Sequence, residues 1–250
     1  MTPGPNVAIL CHYDRDGALR SDTLRYLREL HAAGFWIAVV SNGTPMGPDG
    51  VAALRDVAGA LLTRRNIGVD FSAWRMAMRV LALPRPETRR ILLINDSVYG
   101  PLAPLAPLAP LLARMSGADL WGMTDSAQRD WHLQSYFLLA GPRLIHAPVW
   151  RRFWRGVVPL PFRRWTVGRY EIGLSQRVLT AGLTARALFP YRKLGNPTLN
   201  DWRVLLEAGF PFLKRELLRD NPTGETDLGT WRQTVPAAYA AEIAEDLRRY

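Results

Sequence analysis

Compact polar clusters follow four apolar, strand-length segments of this 250-residue sequence. In chain order, the clusters are His12, Tyr13, Asp14 and Asp16; Ser41, Asn42 and Gly43; Asn66, Gly68 and Asp70; and Asn95, Asp96, Ser97 and Tyr99. Carboxylates, amides and hydroxyls of this kind bind phosphates, sugars or cations, or transfer protons. Each cluster by itself is also typical of a turn or a helix cap. Their repetition after successive strands favours a shared binding edge.

The elements that must position these clusters follow from hydrophobic periodicity. Strand-length apolar runs at 7–11, 35–40, 60–63, 91–94 and 120–123 alternate with helical patterns at 21–33, 49–58 and 72–83. Such alternation predicts an α/β fold, a mostly parallel sheet flanked by helices. Since ligands bind outside the carboxyl ends of parallel strands, the four clusters are expected to meet there.

Beyond residue 130 the pattern becomes mixed, with predicted strands at 132–139, 184–189 and 211–216 and predicted helices at 150–157, 170–181, 199–208 and from 236 onward. We interpret this half as an α+β continuation of the same sheet, so that residues 1–250 form a single domain. The repeated Pro-Leu-Ala triplets at 101–110 are read as a stiff loop that leads into a helix near Leu111.

Composition limits the class of protein. A single cysteine, Cys11, excludes an intramolecular disulfide framework, and neither a signal-like start nor an unbroken apolar stretch of spanning length is present. A cytoplasmic location is therefore expected. The formal charge of +10 comes from 30 arginines and 2 lysines and creates a field that attracts phosphates, nucleic acid or anionic lipid.

Two alternative functions arise from these features. Asp14 and Asp16 after the first strand, with Ser41 after the second, are similar to the opening motifs of haloacid dehalogenase-type phosphohydrolases, in which the first aspartate is the nucleophile. The basic, aromatic-rich composition is also compatible with a nucleic-acid-binding protein. The carboxylates at the predicted edge oppose the second alternative, because they would repel a polyanion.

A colinear set of motifs from about residue 7 to residue 222 resembles the rhamnan synthesis protein F family of bacterial polysaccharide glycosyltransferases. The set is His12-Tyr13-Asp14 with Asp16-Gly17; Val40-Ser41-Asn42-Gly43; Arg65-Asn66-Ile67-Gly68 with Asp70-Phe71 and Trp74; Asn95 through Pro101; His132 through Phe137; Tyr170-Glu171 with Gly173-Leu174; Asn196-Pro197; and Pro211 through Lys214 with Arg219 through Pro222. The resemblance implies a GT-A-like fold and a nucleotide-sugar donor such as an activated rhamnose. It also implies an inverting transfer to a growing surface polysaccharide or O-antigen, commonly lipid-linked.

Candidate roles of individual residues follow from the chemistry that such a transferase needs. Glu171 lies in a segment similar to the acidic helix start that carries the base of inverting family-2-like glycosyltransferases, so it is either the general base, with Asp125 and Asp130 in reserve, or a first-turn carboxylate that favours the helix dipole. His132, at the start of an alternating strand, is either a catalytic or metal-binding group or a structural one. Asp96 would bind a divalent cation, Mg²⁺ or Mn²⁺, although no second carboxylate follows it two places on. Arg65, Lys214 or Arg219 would otherwise offset the charge of the diphosphate. The predicted donor site comprises His12, Tyr13, Asp14, Ser41, Asn42, Asn66, Gly68, Asp70, Asn95, Asp96, Ser97, Lys214 and Arg219.

An aromatic and basic stretch runs from Trp150 to Trp165. On a helix, Trp150, Phe153, Trp154 and Val157 would share one buried face. Residues 162–165, Phe-Arg-Arg-Trp, fit a peripheral contact with an anionic membrane, where aromatic rings and arginines are both favourable. The family resemblance implies a nucleoside-diphosphate sugar and a glycan or lipid-linked glycan acceptor as partners, and this stretch adds a membrane surface.

Overall fold

The computed structural model describes residues 2–102 and 108–249. The strands are β1 Asn6–His12, β2 Trp36–Asn42, β3 Ala60–Arg64, β4 Arg90–Asn95, β5 Val98–Tyr99, β6 Leu120–Ser126, β7 His132–Leu133, β8 Phe137–Ala140, β9 Ala185–Phe189 and β10 Leu213–Lys214. The α-helices are α1 Ser21–Ala32, α2 Pro48–Leu54, α3 Val69–Val80, α4 Leu108–Arg114, α5 Pro142–Ile145, α6 Pro148–Arg155, α7 Arg163–Thr166, α8 Gly173–Thr180, α9 Pro197–Asn200, α10 Trp202–Glu207, α11 Arg215–Asp220, α12 Trp231–Thr234 and α13 Ala237–Leu247. A π-helical segment, Val167–Ile172, joins α7 to α8, and a short 3₁₀ turn, Leu228–Thr230, precedes α12.

The central sheet has the strand order β3-β2-β1-β4-β8-β6-β7, and β9 pairs with β6. Strands β1 to β4 pair in parallel, as does β9 with β6, whereas β8 runs antiparallel between β4 and β6. A separate two-stranded sheet joins β5 to β10. This arrangement confirms the predicted GT-A-like α/β class, a mostly parallel sheet flanked by helices, and its mixed second half.

The inner strands are buried on both faces, which explains their continuous apolar runs. In β1, Ala8 and Leu10 point into one core with helix α1, while Val7 and Ile9 point into another with helix α3. A third apolar cluster surrounds Tyr99 and packs the C-terminal helices against the β5–β10 ribbon. The sheet thus fixes the strand ends between two packed layers.

The predicted helices of the first half are present, with small shifts at their ends. Helix α1 begins at Ser21 as predicted, and Gly34 follows its end with φ +83°, a conformation that favours glycine. Helix α3 begins at Val69, three residues earlier than predicted. Asp70 therefore lies in its first turn, with the carboxylate directed toward the strand ends.

Three predicted elements of the second half are wrong in detail, and a fourth, the helix predicted at 170–181, begins earlier than predicted. The strand predicted at 132–139 is divided into β7 and β8, because Gln134 and Tyr136 bond to Thr124 in the interior instead of facing solvent. The strand predicted at 211–216 is only the two residues of β10, and helix α11 begins at once after Lys214. The helix predicted at 199–208 is interrupted at Asp201.

The Pro-Leu-Ala run falls partly at 103–107, outside the described residues, and the helix predicted near Leu111 is α4. In the described part of the chain, no helix has both the length and the apolar character needed to span a membrane.

Candidate active site

A chain of hydrogen bonds links the carboxyl ends of β1, β2 and β4. The Asn42 amide donates to Cys11 Sγ at 2.9 Å, and the Cys11 thiol donates to Asp70 Oδ1 at 3.2 Å. The Asn95 amide donates to the other oxygen of Asp70 at 2.8 Å. Burial, together with the nearby charge of Asp96, raises the pKa of Asp70. Side chains predicted from separate clusters therefore form one connected edge.

Lys214, which is distant from these residues in sequence, extends the chain of hydrogen bonds. Its Nζ donates to Ser97 Oγ at 3.0 Å, and Ser97 Oγ in turn donates to Asn95 Oδ1 at 2.6 Å. The ammonium also lies 5.3 Å from the centre of the Tyr136 ring. Burial and the neighbouring Arg163 lower the pKa of Lys214, while Glu171 and Asp70 oppose that shift. The site thus holds a desolvated cation beside the strand ends.

The turns after β1, β2 and β3 also converge. The backbone N–H of Tyr13 donates to Asp96 Oδ2 at 2.9 Å, and a Cβ added to Gly43 would lie 3.3 Å from the Tyr13 ring and 3.8 Å from Asn66. The Tyr13 ring is 49% exposed, and Asn66 is exposed beside it. Gly68, with φ +76°, closes this rim against Pro159, where a side chain would clash. An exposed aromatic ring and an amide are therefore presented together.

Two other predicted donor residues, His12 and Ser41, are buried and contact the backbone of nearby turns, whereas a third, Arg219, lies elsewhere. His12 is fully buried, its Nε2 lies 3.1 Å from the carbonyl oxygen of Ala18, and burial lowers its pKa. Ser41 is buried and donates to the carbonyl of Thr44 at 3.3 Å. Arg219 lies apart from the strand-end chain, at the exposed end of α11, where it makes a two-pronged pair with Asp220.

Asp14 is a buried turn residue. Its Oδ1 accepts the backbone N–H groups of Asp16 at 2.9 Å and Ala18 at 3.0 Å, and Arg249 lies 3.3 Å from Oδ2. Burial alone would raise its pKa, but these N–H groups and the Arg249 guanidinium hold the pKa below its ordinary value. A carboxylate engaged in this way does not fit the nucleophile of a phosphohydrolase.

We expect Asp14→Asn to lower the free energy of unfolding at pH 7 by about 1–3 kcal/mol, since hydrogen bonds to charged groups contribute about that much. The depressed pKa stabilises the fold above the ordinary pKa of about 4, and this stabilisation disappears as the pH falls through the folded-state value. Denaturant unfolding at several pH values should show the two proteins converging below about pH 4. Asp16→Asn, at a mostly exposed position, is the matched control. An unchanged difference at low pH would contradict this account.

Asp96, the predicted cation ligand, lies between a backbone N–H group and an arginine side chain of the protein. Besides the Tyr13 N–H, its Oδ2 faces Arg20 Nη1 at 3.7 Å. Arg20 also pairs with Asp22 at 3.0 Å and lies 4.0 Å from Asp246 of α13. Across residues 2–102 and 108–249, no group of three or more His, Cys, Asp and Glu side chains could hold a metal ion. The protein groups alone therefore do not fit a cation site, and we assign no step to a metal.

Glu171 and His132, the two other catalytic candidates, lie next to each other. Glu171 Oε1 accepts the Ser135 N–H at 3.0 Å and lies 3.9 Å from His132 Nε2. His132 is buried, and its Nδ1 lies 2.9 Å from the carbonyl oxygen of Asp130. The helix predicted to start near Tyr170 is wrong: the chain is helical from residue 163 to 180, and Glu171 lies in its π-helical segment. Glu171 is thus held by a tertiary contact, not by a helix N-terminus.

The reserve candidates are differently placed. Both oxygens of Asp125 are engaged, one by the Trp131 indole N–H at 2.8 Å and the other by the Tyr191 backbone N–H at 2.6 Å. Asp130 is exposed.

Sequence reasoning missed Cys11, Arg20 and Ser135 as parts of the site. For Cys11 a signal existed, since it is the penultimate residue of β1; Arg20 and Ser135 act through contacts that only folding creates.

Comparison with known proteins identifies the family of this chain. The rhamnan synthesis protein F family matches residues 37–233. This chain belongs to the rhamnan synthesis protein F family. Membership confirms the prediction of a nucleotide-sugar glycosyltransferase in polysaccharide biosynthesis, and it does not support the phosphohydrolase and nucleic-acid-binding alternatives.

Relatives and solved structures extend the comparison. The virulence protein VirA of Vibrio anguillarum is 26% identical over 260 residues, which cover 89% of this rhamnan synthesis F chain and 82% of VirA. A glycosyltransferase involved in the glycosylation of the major capsid of PBCV-1 has a TM-score of 0.39 and 12% identity, covering 98% of this chain and 100% of that one. HddC from Yersinia pseudotuberculosis has a TM-score of 0.41 and 12% identity, covering 74% and 89%.

Proposed function

We propose that this enzyme transfers rhamnose or a related deoxyhexose, with inversion, from a nucleoside-diphosphate sugar to a growing surface polysaccharide or O-antigen. One observation carries the assignment of the site. The Lys214 ammonium is held 3.0 Å from Ser97 Oγ just after β4 and 5.3 Å from the centre of the Tyr136 ring, and Glu171 accepts the N–H of Ser135, the residue before Tyr136. A cation and a candidate base therefore face one edge of the sheet.

The donor's nucleoside would lie at the rim formed by Tyr13, Gly43 and Asn66. The half-exposed Tyr13 ring offers a face on which a base can stack, and the Asn66 amide can bond to base or ribose. The absence of a side chain at Gly43 allows close approach to that ring. The diphosphate would then extend toward Ser97 and Lys214.

The chemical step is a single displacement. Glu171 accepts the proton of the acceptor hydroxyl, the hydroxyl oxygen bonds to the anomeric carbon, and the bond between that carbon and the diphosphate oxygen breaks. Lys214 stabilises the negative charge on the departing nucleoside diphosphate. The Ser135 N–H fixes the orientation of Glu171, and the buried His132 limits its movement. Attack opposite to the leaving group inverts the anomeric centre.

We further propose that the chain works as one catalytic domain in which residues 1–125 bind the donor and residues 126–250 bind the acceptor. Lys214 is the exception, because the β5–β10 ribbon carries it from the second half into the donor side. A lipid-linked acceptor would bring the enzyme to the inner face of the cell membrane.

A thermal-shift panel of nucleoside diphosphates tests the donor assignment. A matching diphosphate at about 100 times its Kd stabilises a protein by about 2.7 kcal/mol, which for this size corresponds to roughly 5–10 °C. The corresponding nucleoside and inorganic phosphate should each give a much smaller shift. Repeating the panel with Mg²⁺ or Mn²⁺ shows whether binding needs a cation that the protein alone does not hold.

Tyr13→Ala should reduce the shift for the matching diphosphate, because the stacking surface is removed. Tyr191→Phe, which removes a hydroxyl bonded to Asp201 instead, is the control. No shift with any diphosphate, with or without a cation, would overturn the proposed function.

A further inference from the structure

Helix α6 separates two surface grooves that are rich in arginine. One groove, of about 740 Å³, is lined by Arg75, Arg79, Arg151 and Arg155, and lies between α3 and α6. The other, of about 510 Å³, is lined by Arg152, Arg169 and Arg177. The arginines of α6 point outward because Trp150, Phe153 and Trp154 occupy its buried face. The helix therefore forms the ridge of a basic surface, here termed the α6 face.

Among the residues that the structure describes, none neutralises the positive charge of the α6 face by an ion pair. Of the described residues that line the two grooves, none is acidic. Across the described ranges, none of these seven arginines forms an ion pair, whereas ten other arginines do, among them Arg20 and Arg249. A surface with this charge and no internal counterion favours an external anion.

Exposed apolar side chains lie next in the chain, in residues 158–165, which include the start of α7 and are here termed the rim loop. Val158 is 47% exposed, Phe162 51% and Trp165 48%. The Phe162 and Trp165 rings contact each other edge to face, with centroids 5.0 Å apart, and the Arg164 guanidinium lies 5.4 Å from the Phe162 ring. Aromatic rings with neighbouring arginines are typical of segments that lie at the interface between water and lipid.

The rim loop borders the candidate active site. Pro159 closes against Gly68 of the donor rim, next to Ile67, which is 52% exposed. Arg163 donates to Glu216 at 3.2 Å, two residues beyond Lys214. The apolar rim loop thus lies beside the candidate active site and continues the basic α6 face.

We propose that the α6 face and the rim loop together dock the enzyme on an anionic phospholipid surface, with the candidate active site turned toward the bilayer. This inference rests on the proposed function, because a lipid-linked acceptor is what such an orientation would serve. The arginines contact lipid phosphates, and Phe162 and Trp165 enter the interfacial layer.

The same charge could attract nucleic acid, but the aromatic geometry favours lipid. Bases bind single-stranded-nucleic-acid proteins by stacking on open ring faces. Here the two rings are at 85° to each other, and a guanidinium covers one face of Phe162. Insertion of ring edges between lipid headgroups needs no open parallel face.

Co-sedimentation with vesicles tests the proposal. The full chain should bind vesicles of phosphatidylcholine and phosphatidylglycerol, and should bind pure phosphatidylcholine far more weakly. Raising the salt from about 0.1 M to about 1 M should weaken binding, since the screening length falls from about 10 Å to about 3 Å. Arg151→Gln combined with Arg155→Gln should lower the partition coefficient about 25-fold, or roughly fivefold for each charge. Phe162→Ala combined with Trp165→Ala should lower it at least several-fold.

Matched controls use exposed residues of the same types elsewhere. Arg28→Gln with Arg55→Gln, and Leu194→Ala with Val204→Ala, should bind vesicles like the natural chain. All four variants should keep the thermal shift with the nucleoside diphosphate. If the natural chain shows the nucleoside-diphosphate thermal shift but does not bind vesicles, the docking proposal alone is overturned. If the natural chain shows no such shift, the proposed function is overturned. Binding to an oligonucleotide but not to vesicles, or self-association through this face without vesicle binding, also overturns the docking proposal.

Discussion

Glu171→Gln should lower the turnover number about 10²–10⁴-fold and leave the nucleoside-diphosphate thermal shift unchanged. A positioned general base contributes a factor of that size, and the amide of glutamine cannot accept the acceptor's proton. Its side-chain oxygen can still accept the Ser135 N–H, so the local structure should persist. Initial rates with a saturating donor and acceptor measure the effect.

Glu207→Gln is the matched control, because Glu207 is exposed at the end of α10. It should transfer sugar at the natural rate. If Glu171→Gln also transfers at the natural rate, Glu171 is not the base, whatever its effect on stability.

Lys214→Met should lower the turnover number about 10²–10³-fold, the usual effect of removing one preorganised group that stabilises developing charge. Methionine fills a similar volume in this buried position but carries no charge, so the loss is electrostatic. Because Lys214 would also contact the ground-state diphosphate, the Kd for the nucleoside diphosphate should rise, and a thermal-shift titration measures that rise. Lys214→Arg should recover part of the rate by restoring the charge.

The chain contains one other lysine, and it gives a direct control. Lys193 is mostly exposed and pairs with Asp201 at 2.9 Å, so Lys193→Met removes the same charge from a different surface. Its rate and diphosphate affinity should be unchanged. An equal loss in both variants would mean that net charge, not the position of Lys214, explains the result.

The fold of the first half could be predicted from the sequence because each local signal agrees with the tertiary structure. Strand β1 is buried on both faces and therefore apolar at every position from Val7 to Cys11, and α1 has an apolar stripe with Gly34 after its end. The second half was harder, since Gln134 and Tyr136 alternate with apolar residues and mimic a half-exposed strand. Their polar atoms instead bond to Thr124 inside the protein.

Of the site residues, only the polar side chains near the ends of strands could be predicted from the sequence. Asn42 and Asn95 end β2 and β4, and Asp70 lies in the first turn of α3, the helix that follows β3. Parallel strands bring their ends together. Lys214 reaches Ser97 across 117 positions of sequence through the short β5–β10 ribbon, a pairing that no periodicity reveals. The role of Arg20, between Asp96 and the C-terminal helix, likewise depends on packing between distant segments.

The Tyr170 hydroxyl ties the rim loop to the helix that carries the candidate base. It accepts the Val158 N–H at 2.8 Å and donates to the Val158 carbonyl at 2.9 Å, and Glu171 is the next residue along the chain. A surface that moved the rim loop would therefore act, through this one hydroxyl, on the helix that carries the candidate base.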